Sequence, residues 1–408
     1  MGVKIDGKNR KIAMNILYIT SDDILRNSSA NIRNASLVRG LKDIGHDIKV
    51  LCLKPNKHDE HLEKILSDID ILYAINASVN TSNSNTSEQK KTNILKNIAV
   101  RLYNLIRVYD PSARLIRKVQ TESLAIGTPD IIISSSDPRS SHLLAKKIIK
   151  EVNFKGKYVQ YWGDPMMNDI SASLLVRPFL RNAEKQLLQL PHLIVYTNDA
   201  TVQQMAKEYN IPRQKMFSIP TPCAKTKEDQ SAPNEDKDEV VKIGYFGEYY
   251  SSRRNIKPLL DVIANNPKYH LTIAGSTDIT VPNTANITQF PHIGASQVAK
   301  LQEYTDVLIV LENKPKNKLM ANNVIQIPGK VFHYGITDKK ILIIEETGLS
   351  KSALDKYNRY YFCDNNISDI RVTMEHIAKD NTPSLSTPLQ DFFPENVAKI
   401  LIERIEKI

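Results

Sequence analysis

The sequence predicts an α/β fold built as two β/α lobes in tandem, and three observations predict it. Short apolar runs alternate with helical segments along most of the 408 residues, the pattern of a parallel sheet with helices on both faces. The alternation stops in the polar, charged stretch TPCAKTKEDQSAPNEDKDE (221–239) and restarts with a strand like the first. A length of 408 residues also exceeds what one core usually holds, against a prior of about 150 residues per domain.

Taken in order, the first strand is MNILYIT (14–20), followed by the polar loop SDDILRNSSA and a helical pattern through Leu37, Val38 and Leu41. HDIKVLCL (46–53) and IDILYAI (69–75) follow as strands, with a polar, helix-like segment between them. The Ser/Thr/Asn run NASVNTSNSNTSEQ (76–89) reads as a surface loop. PDIIISSS (129–136), KYVQYWG (157–163) and HLIVYTN (192–198) complete a first series of buried-looking strands. The second series is VVKIGYFGE (240–248), a helix from Pro258, HLTIAGS (270–276), DVLIVLEN (306–313) and KKILIIEE (339–346). FFPENVAKILIERIEKI (392–408) is a closing helix with Pro394 near its start, placed to return and pack on the first half. The expected division is a flexible N-terminus over 1–13, a first lobe over 14–220 completed by 389–408, a linker over 221–239 and a second lobe over 240–388.

Composition narrows the function. Hydrophobic content of 41% and charged content of 25% argue against disorder for most of the chain. Cys52, Cys223 and Cys363 lie far apart with no CxxC pair, so the reading is reduced thiols rather than a disulfide framework or a zinc knuckle. The N-terminal apolar run is short and alternates like a strand, and Asp6 occupies the position where a myristoylation pattern needs Ser or Thr. With no run of about 18 apolar residues, a cytoplasmic protein is expected and any membrane contact is peripheral. The net charge of +10 is partly concentrated between residues 89 and 118, where eight Lys or Arg face one acid, Asp110. Ile94, Ile98, Leu102, Leu105 and Ile106 recur there at helical spacing. This basic amphipathic helix either lies on an anionic leaflet, at roughly 1 kcal/mol per basic residue, or packs its apolar face on the core. Nucleic acid is not expected as a partner, because the segment lacks a stacking platform or base-reading motif. No G-x-G-x-x-G follows either first strand and the chain has only 14 glycines, which argues against hydride chemistry; a Walker-type loop is absent as well.

Three short segments carry chemistry. In IPGKVFHYGITDKKILI (327–343) a Pro-Gly turn enters a helix, placing amides and a helix N-terminus where a diphosphate can sit, with Lys330 adding a point charge. In IGYFGEYYSSRRNIKPLLDVI (243–263) a strand ends in a loop bearing Arg253 and Arg254. SSSDPRSSHLLAKKI (134–148) and KYVQYWGDPMM (157–167) form the third, with Asp164 after a strand. Asp164 either accepts hydrogen bonds from sugar hydroxyls and acts as a base, or caps the following turn. His142 is read as facing its own helix's surroundings.

The first of these segments resembles the pattern iPgKlFEYLaxGKPIL of retaining glycosyltransferases of the GT-B fold, family 4, in the form common among enzymes of bacterial surface-polysaccharide assembly. It matches at Ile327, Pro328, Gly329, Lys330, Phe332, Tyr334, Lys339, Ile341 and Leu342. The second resembles that family's first C-terminal strand and loop, with Gly247-Glu248 where a Gly-Arg pair is common and Arg254 in the place of a Lys. Charge-assisted contacts contribute roughly 1.5–3 kcal/mol each, so Arg254 and Lys330 suffice to hold a diphosphate. The third is similar to the family's aSsPPfssHliA and iaDfRDPW segments. The resemblance follows the order of elements over roughly residues 14–345 and implies two Rossmann-like lobes facing a central cleft, with the last helix crossing back to the first lobe. It implies transfer of a sugar from a nucleotide-diphosphate donor to a glycan acceptor, expected to be lipid-linked, with retained anomeric configuration. It implies that the first lobe takes the acceptor and the second the nucleotide-sugar donor, the donor on Arg253, Arg254, Pro328, Gly329, Lys330 and His333, and Asp164 is the catalytic candidate. No metal or cofactor is expected, since the cations and amides would neutralise the leaving diphosphate. Two positions depart from the pattern: His333 stands where a Glu contacts the ribose, and Ile325 stands at the first Glu of the pair. A neutral imidazole makes one hydrogen bond to a hydroxyl rather than the bidentate contact of a carboxylate. Glu248, Ile325 and His333 are also the features of a GT-B-like protein that binds a glycan or a partner transferase without catalysis.

Overall fold

In the computed structural model, residues 13–75, 108–167, 175–224, 240–314, 327–380 and 388–408 are described. The 76–89 loop, most of the basic segment, Ile325 and the 225–239 part of the linker lie outside them.

The first lobe starts with β1 (Asn15–Thr20), α1 (Ser29–Asp43), β2 (Asp47–Cys52), α2 (Glu60–Ile65) and β3 (Asp70–Tyr73). It continues through β4 (Ile131–Ser135), α3 (Ser140–Glu151), β5 (Lys157–Tyr161), α4 (Arg177–Leu188), β6 (Leu193–Tyr196), α5 (Asp199–Tyr209) and β7 (Met216–Ser218). Local chemistry sets the helix starts. Ser28 and Asn198 accept the Asn31 and Thr201 N–H groups at the mouths of α1 and α5, and Asp59 does the same for α2. The strands form one seven-stranded sheet in the order β3-β2-β1-β4-β5-β6-β7, with every pair parallel.

The second lobe repeats the plan. It comprises β8 (Val241–Phe246), α6 (Lys257–Ala264), β9 (Tyr269–Ala274), β10 (Ile287–Phe290), α7 (Ala295–Glu303) and β11 (Val307–Leu311). Then come α8 (Lys330–Gly335), β12 (Lys340–Glu345), α9 (Leu349–Leu354), β13 (Tyr360–Asp364) and α10 (Ile367–Lys379). Its six strands run β10-β9-β8-β11-β12-β13, again all parallel. Both sheets therefore reverse direction of growth once, between β1 and β4 and between β8 and β11. In open α/β sheets the crevice outside the strand ends at such a reversal is where ligands bind.

The closing helix α11 (Pro394–Glu406) belongs to the first lobe. Val397, Ala398, Leu401, Ile402 and Ile405 are buried in one cluster with Leu37, Val38 and Leu41 of α1 and Ile16 and Val50 of the sheet. Contact is closest at Gly40, where any Cβ would collide with the Pro394 carbonyl. The chain thus crosses between lobes twice, and the crossings touch: Cys223 N–H donates to the Phe392 carbonyl at 2.9 Å.

Residues 221–224 open the expected linker, where Thr221 and Cys223 are buried and Cys223 packs with Phe392 in a core cluster of the second lobe. One expectation needs correction. Within the basic segment, residues Pro111–Arg114 and Ile116–Lys118 are two short 3-10 turns rather than the end of an amphipathic helix. Pro111 breaks the helical pattern there, and Ile116 is drawn into the core against the sheet. Among the described residues no helix is long and apolar enough to cross a membrane.

Candidate functional site

The crevice between β8 and β11 is built around two close approaches. Gly275, at the end of β9, has φ +149° and no room for a Cβ beside the Gly247 carbonyl. Only glycine fits both demands. Gly247 in turn lies under the Lys330 side chain, and a Cβ there would collide with Nζ. The Lys330 ammonium donates to the Phe246 carbonyl and lies 5.5 Å from the centroid of the Tyr245 ring. Burial, with the nearby Arg254 charge, pulls its pKa down to about 8.

The loop after β8 supplies the second cation. Arg253 and Arg254 N–H groups both bond the Tyr250 carbonyl, and Ser251 is fixed by Asp278 through N–H and Oγ at 2.8 and 2.9 Å. The two arginines then part company. Arg253 is exposed and pairs with Glu248 at 3.5 Å. Arg254 is half-buried, its Nε has no partner, and burial lowers its pKa. Arg254 and Lys330 are therefore a pair of partly desolvated cations at one strand-end crevice. A buried charge is costly unless paired, so the pair is chemically suited to an anion.

Pro328 and Gly329 form the turn into α8. The expectation of a helix N-terminus with open amides is modified here, because Val331, Phe332 and His333 N–H groups already bond the Pro328 and Gly329 carbonyls. The charge of the Lys330 side chain is left as the main feature of that end. His333, one turn on, is held neutral with its pKa down to about 4, first by burial and then by His61 and Lys330. His61 sits on α2 of the first lobe.

Just past β11, at the same strand end, Glu312 is buried and accepts from the Glu346 and Thr347 N–H groups at 2.9 and 3.0 Å, the Thr347 hydroxyl at 2.9 Å, and Ser350. It fixes the turn after β12 that walls the crevice.

Asp164 lies in the first lobe, half-buried just beyond β5. The preceding Gly163 N–H donates to Ser136 Oγ at 3.1 Å, joining the loops after β4 and β5. His142 is fully buried, with Nδ1 2.7 Å from Ser134 Oγ and its ring 4.1 Å from that of Trp162. Burial lowers its pKa to about 3. The structure thus gathers Arg254, Gly329, Lys330 and His333 in the second lobe and sets Asp164 in the first. Sequence reasoning missed Gly247 and Gly275 as space-makers, Glu312 as a brace, and His61. The dipeptide Phe246-Gly247 at a strand end was the available signal for the first.

In sequence, no family model matches the chain and no curated protein matches it. In structure, several solved proteins match over nearly their whole length. HepE of Anabaena, solved in complex with UDP and glucose, superposes with a TM-score of 0.60 at 10% identity, covering 97% of this chain and 100% of that one. The apo form of the lipopolysaccharide outer core galactosyltransferase WaaB gives 0.57 at 12%, covering 97% and 99%. A Listeria monocytogenes protein described as a UDP-N-acetylglucosamine 2-epimerase gives 0.56 at 10%, covering 97% and 96%. The shared architecture is the GT-B fold.

Proposed function

We propose that the chain transfers a sugar from a nucleoside-diphosphate donor to a glycan acceptor. The observation that carries the reading is the pair Lys330 and Arg254, two desolvated cations at the strand-end crevice of the second lobe, one of them laid across a glycine. HepE, of the same fold, was solved with UDP and glucose. In this reading the leaving diphosphate is neutralised by Lys330 and Arg254, with no metal required. Pro328 and Gly329 shape the turn that presents Lys330, neutral His333 makes one hydrogen bond to a ribose hydroxyl, and Arg253 tunes the loop from its rim. Asp164 approaches from the first lobe as a partner for sugar hydroxyls or a base. Retention of anomeric configuration, a lipid-linked acceptor of bacterial surface-polysaccharide assembly and peripheral contact with the cytoplasmic leaflet through the basic segment belong to the same proposal, and the resemblance in sequence supports them.

Since the fold also carries a protein described as an epimerase, fold alone does not select transfer. The test is a thermal-shift and calorimetry screen against UDP, GDP, CMP and their sugar conjugates, followed by product analysis with and without acceptor sugars. A ligand at 100 times its dissociation constant adds about 2.7 kcal/mol of stability. Binding of one nucleotide, lost in the Lys330→Ala/Arg254→Ala double variant, supports the reading. Epimerised donor formed without acceptor, or no nucleotide bound at all, overturns it.

A further inference from the structure

The first lobe has a reversal crevice of its own, between the loops that follow β1 and β4, and a cation stands in it. Arg33 of α1 reaches across and donates to the Ser136 carbonyl. Its guanidinium carbon lies 5.1 Å from the centroid of the Tyr161 ring, and the guanidinium fills the space that a side chain at position 163 would need. Four other arginines of this lobe have carboxylate partners: Arg26 has Asp22, Arg39 has Asp43 and Asp68, Arg181 has Glu208 and Arg213 has Asp199. Among the described residues no carboxylate pairs with Arg33, and its Nε is buried without a partner. The neighbouring Asn34 Nδ2 and Tyr161 Oη, both in fully buried side chains, also lack partners. A half-buried cation with no carboxylate beside it is a site whose counter-ion arrives with a ligand.

We infer that this corner binds the phosphate or diphosphate group of the acceptor. The inference rests on the proposed sugar transfer, in which Lys330 and Arg254 already serve the donor's diphosphate in the opposite lobe. Asp164 directly follows Gly163, so an acceptor held at Arg33 by its phosphate lies beside that carboxylate. A phosphorylated sugar and a prenyl diphosphate offer the same chemistry to Arg33, and the probes below separate them.

The experiment titrates glucose 1-phosphate, farnesyl diphosphate and unphosphorylated glucose into the full chain by calorimetry, alone and with the best nucleoside diphosphate of the screen at saturation. Wild type, Arg33→Gln and Arg33→Lys are compared, with folding checked by circular dichroism. The expected result is binding of a phosphorylated probe to the nucleotide-loaded protein, weakened about ten-fold or more in Arg33→Gln, partly restored in Arg33→Lys, with nucleotide affinity unchanged. The probe that binds more tightly names the source of the phosphate. Equal probe affinity in wild type and Arg33→Gln, no probe binding to wild type, or equal loss of nucleotide affinity in the variant overturns the inference; the last assigns Arg33 to the donor. Should no nucleotide bind, the transferase reading fails separately, and with no acceptor left to assign, this inference falls with it even if the probes bind alone.

Discussion

Replacing Lys330 by Met separates what this ammonium costs the fold from what it gives a ligand. Burial and Arg254 lower its pKa from 10.5 to about 8. At about 1.4 kcal/mol for each pH unit, the folded protein at neutral pH carries on the order of 3 kcal/mol of unfavourable charge there. The hydrogen bond to the Phe246 carbonyl returns roughly 1.5 kcal/mol, and the side chain's partial access to water trims the cost further. Met keeps the length and drops the charge, so Lys330→Met is expected to stabilise the ligand-free protein by about 1–2 kcal/mol at pH 7. The pH sign follows from proton counts. Between about pH 8 and 10.5 the unfolded chain holds this proton and the folded chain does not, so wild-type stability from this group rises with pH and the advantage of Met fades. Nucleotide affinity moves the other way, falling roughly 10- to 100-fold in the variant with the loss of one charge-assisted contact. Trp162 is the only tryptophan and lies in the first lobe, so calorimetry rather than fluorescence is the assay for this site. A variant that melts lower than wild type at pH 7, or keeps the full nucleotide-induced shift, refutes the reasoning.

Three further predictions share this footing. Gly247→Ala forces the Lys330 ammonium off the Phe246 carbonyl while the strand stays in place, so nucleotide affinity should drop about ten-fold with an unchanged circular dichroism spectrum. His142 and His333 are held neutral, with pKa values of about 3 and about 4. As pH falls below about 6.5 the unfolded chain takes up these protons first, so stability should decline by up to about 1.4 kcal/mol per pH unit for each; His142→Gln should flatten that slope in urea titrations read by Trp162 fluorescence. Gly40→Leu drives a side chain into the Pro394 carbonyl and should cost about 3 kcal/mol of first-lobe stability by lifting α11 off α1, read by the same fluorescence.

What the sequence made legible was the middle of each sheet. Strands β1, β2, β4, β5, β8, β11 and β12 are apolar runs buried on both faces, and such runs announce themselves. The strands that escaped, β7, β10 and β13, are the edges of their sheets. Ile287–Phe290 is half-exposed and Met216–Ser218 spans three residues, so neither has the unbroken apolar run that marks a central strand. At the site, Lys330 was legible because a cation directly after a Pro-Gly turn has a local signature, and Arg254 because it stands in the loop that follows a strand. Arg33 was not, because its meaning lies in the absence of a carboxylate in three dimensions, and no spacing along the chain encodes that. Gly247 and Gly275 likewise matter only because β8 and β9 end side by side.

The return of α11 to the first lobe has a consequence for how the molecule is made. Residues 394–406 leave the ribosome after every strand of the second lobe, so the second lobe's core closes around residues already synthesised. The first lobe, begun earlier, waits: Leu37, Val38 and Leu41 present an apolar face that stays uncovered until Val397, Leu401 and Ile402 arrive. Order of synthesis and order of completion are therefore reversed, and the half-covered first lobe is the species a chaperone would meet on the nascent chain.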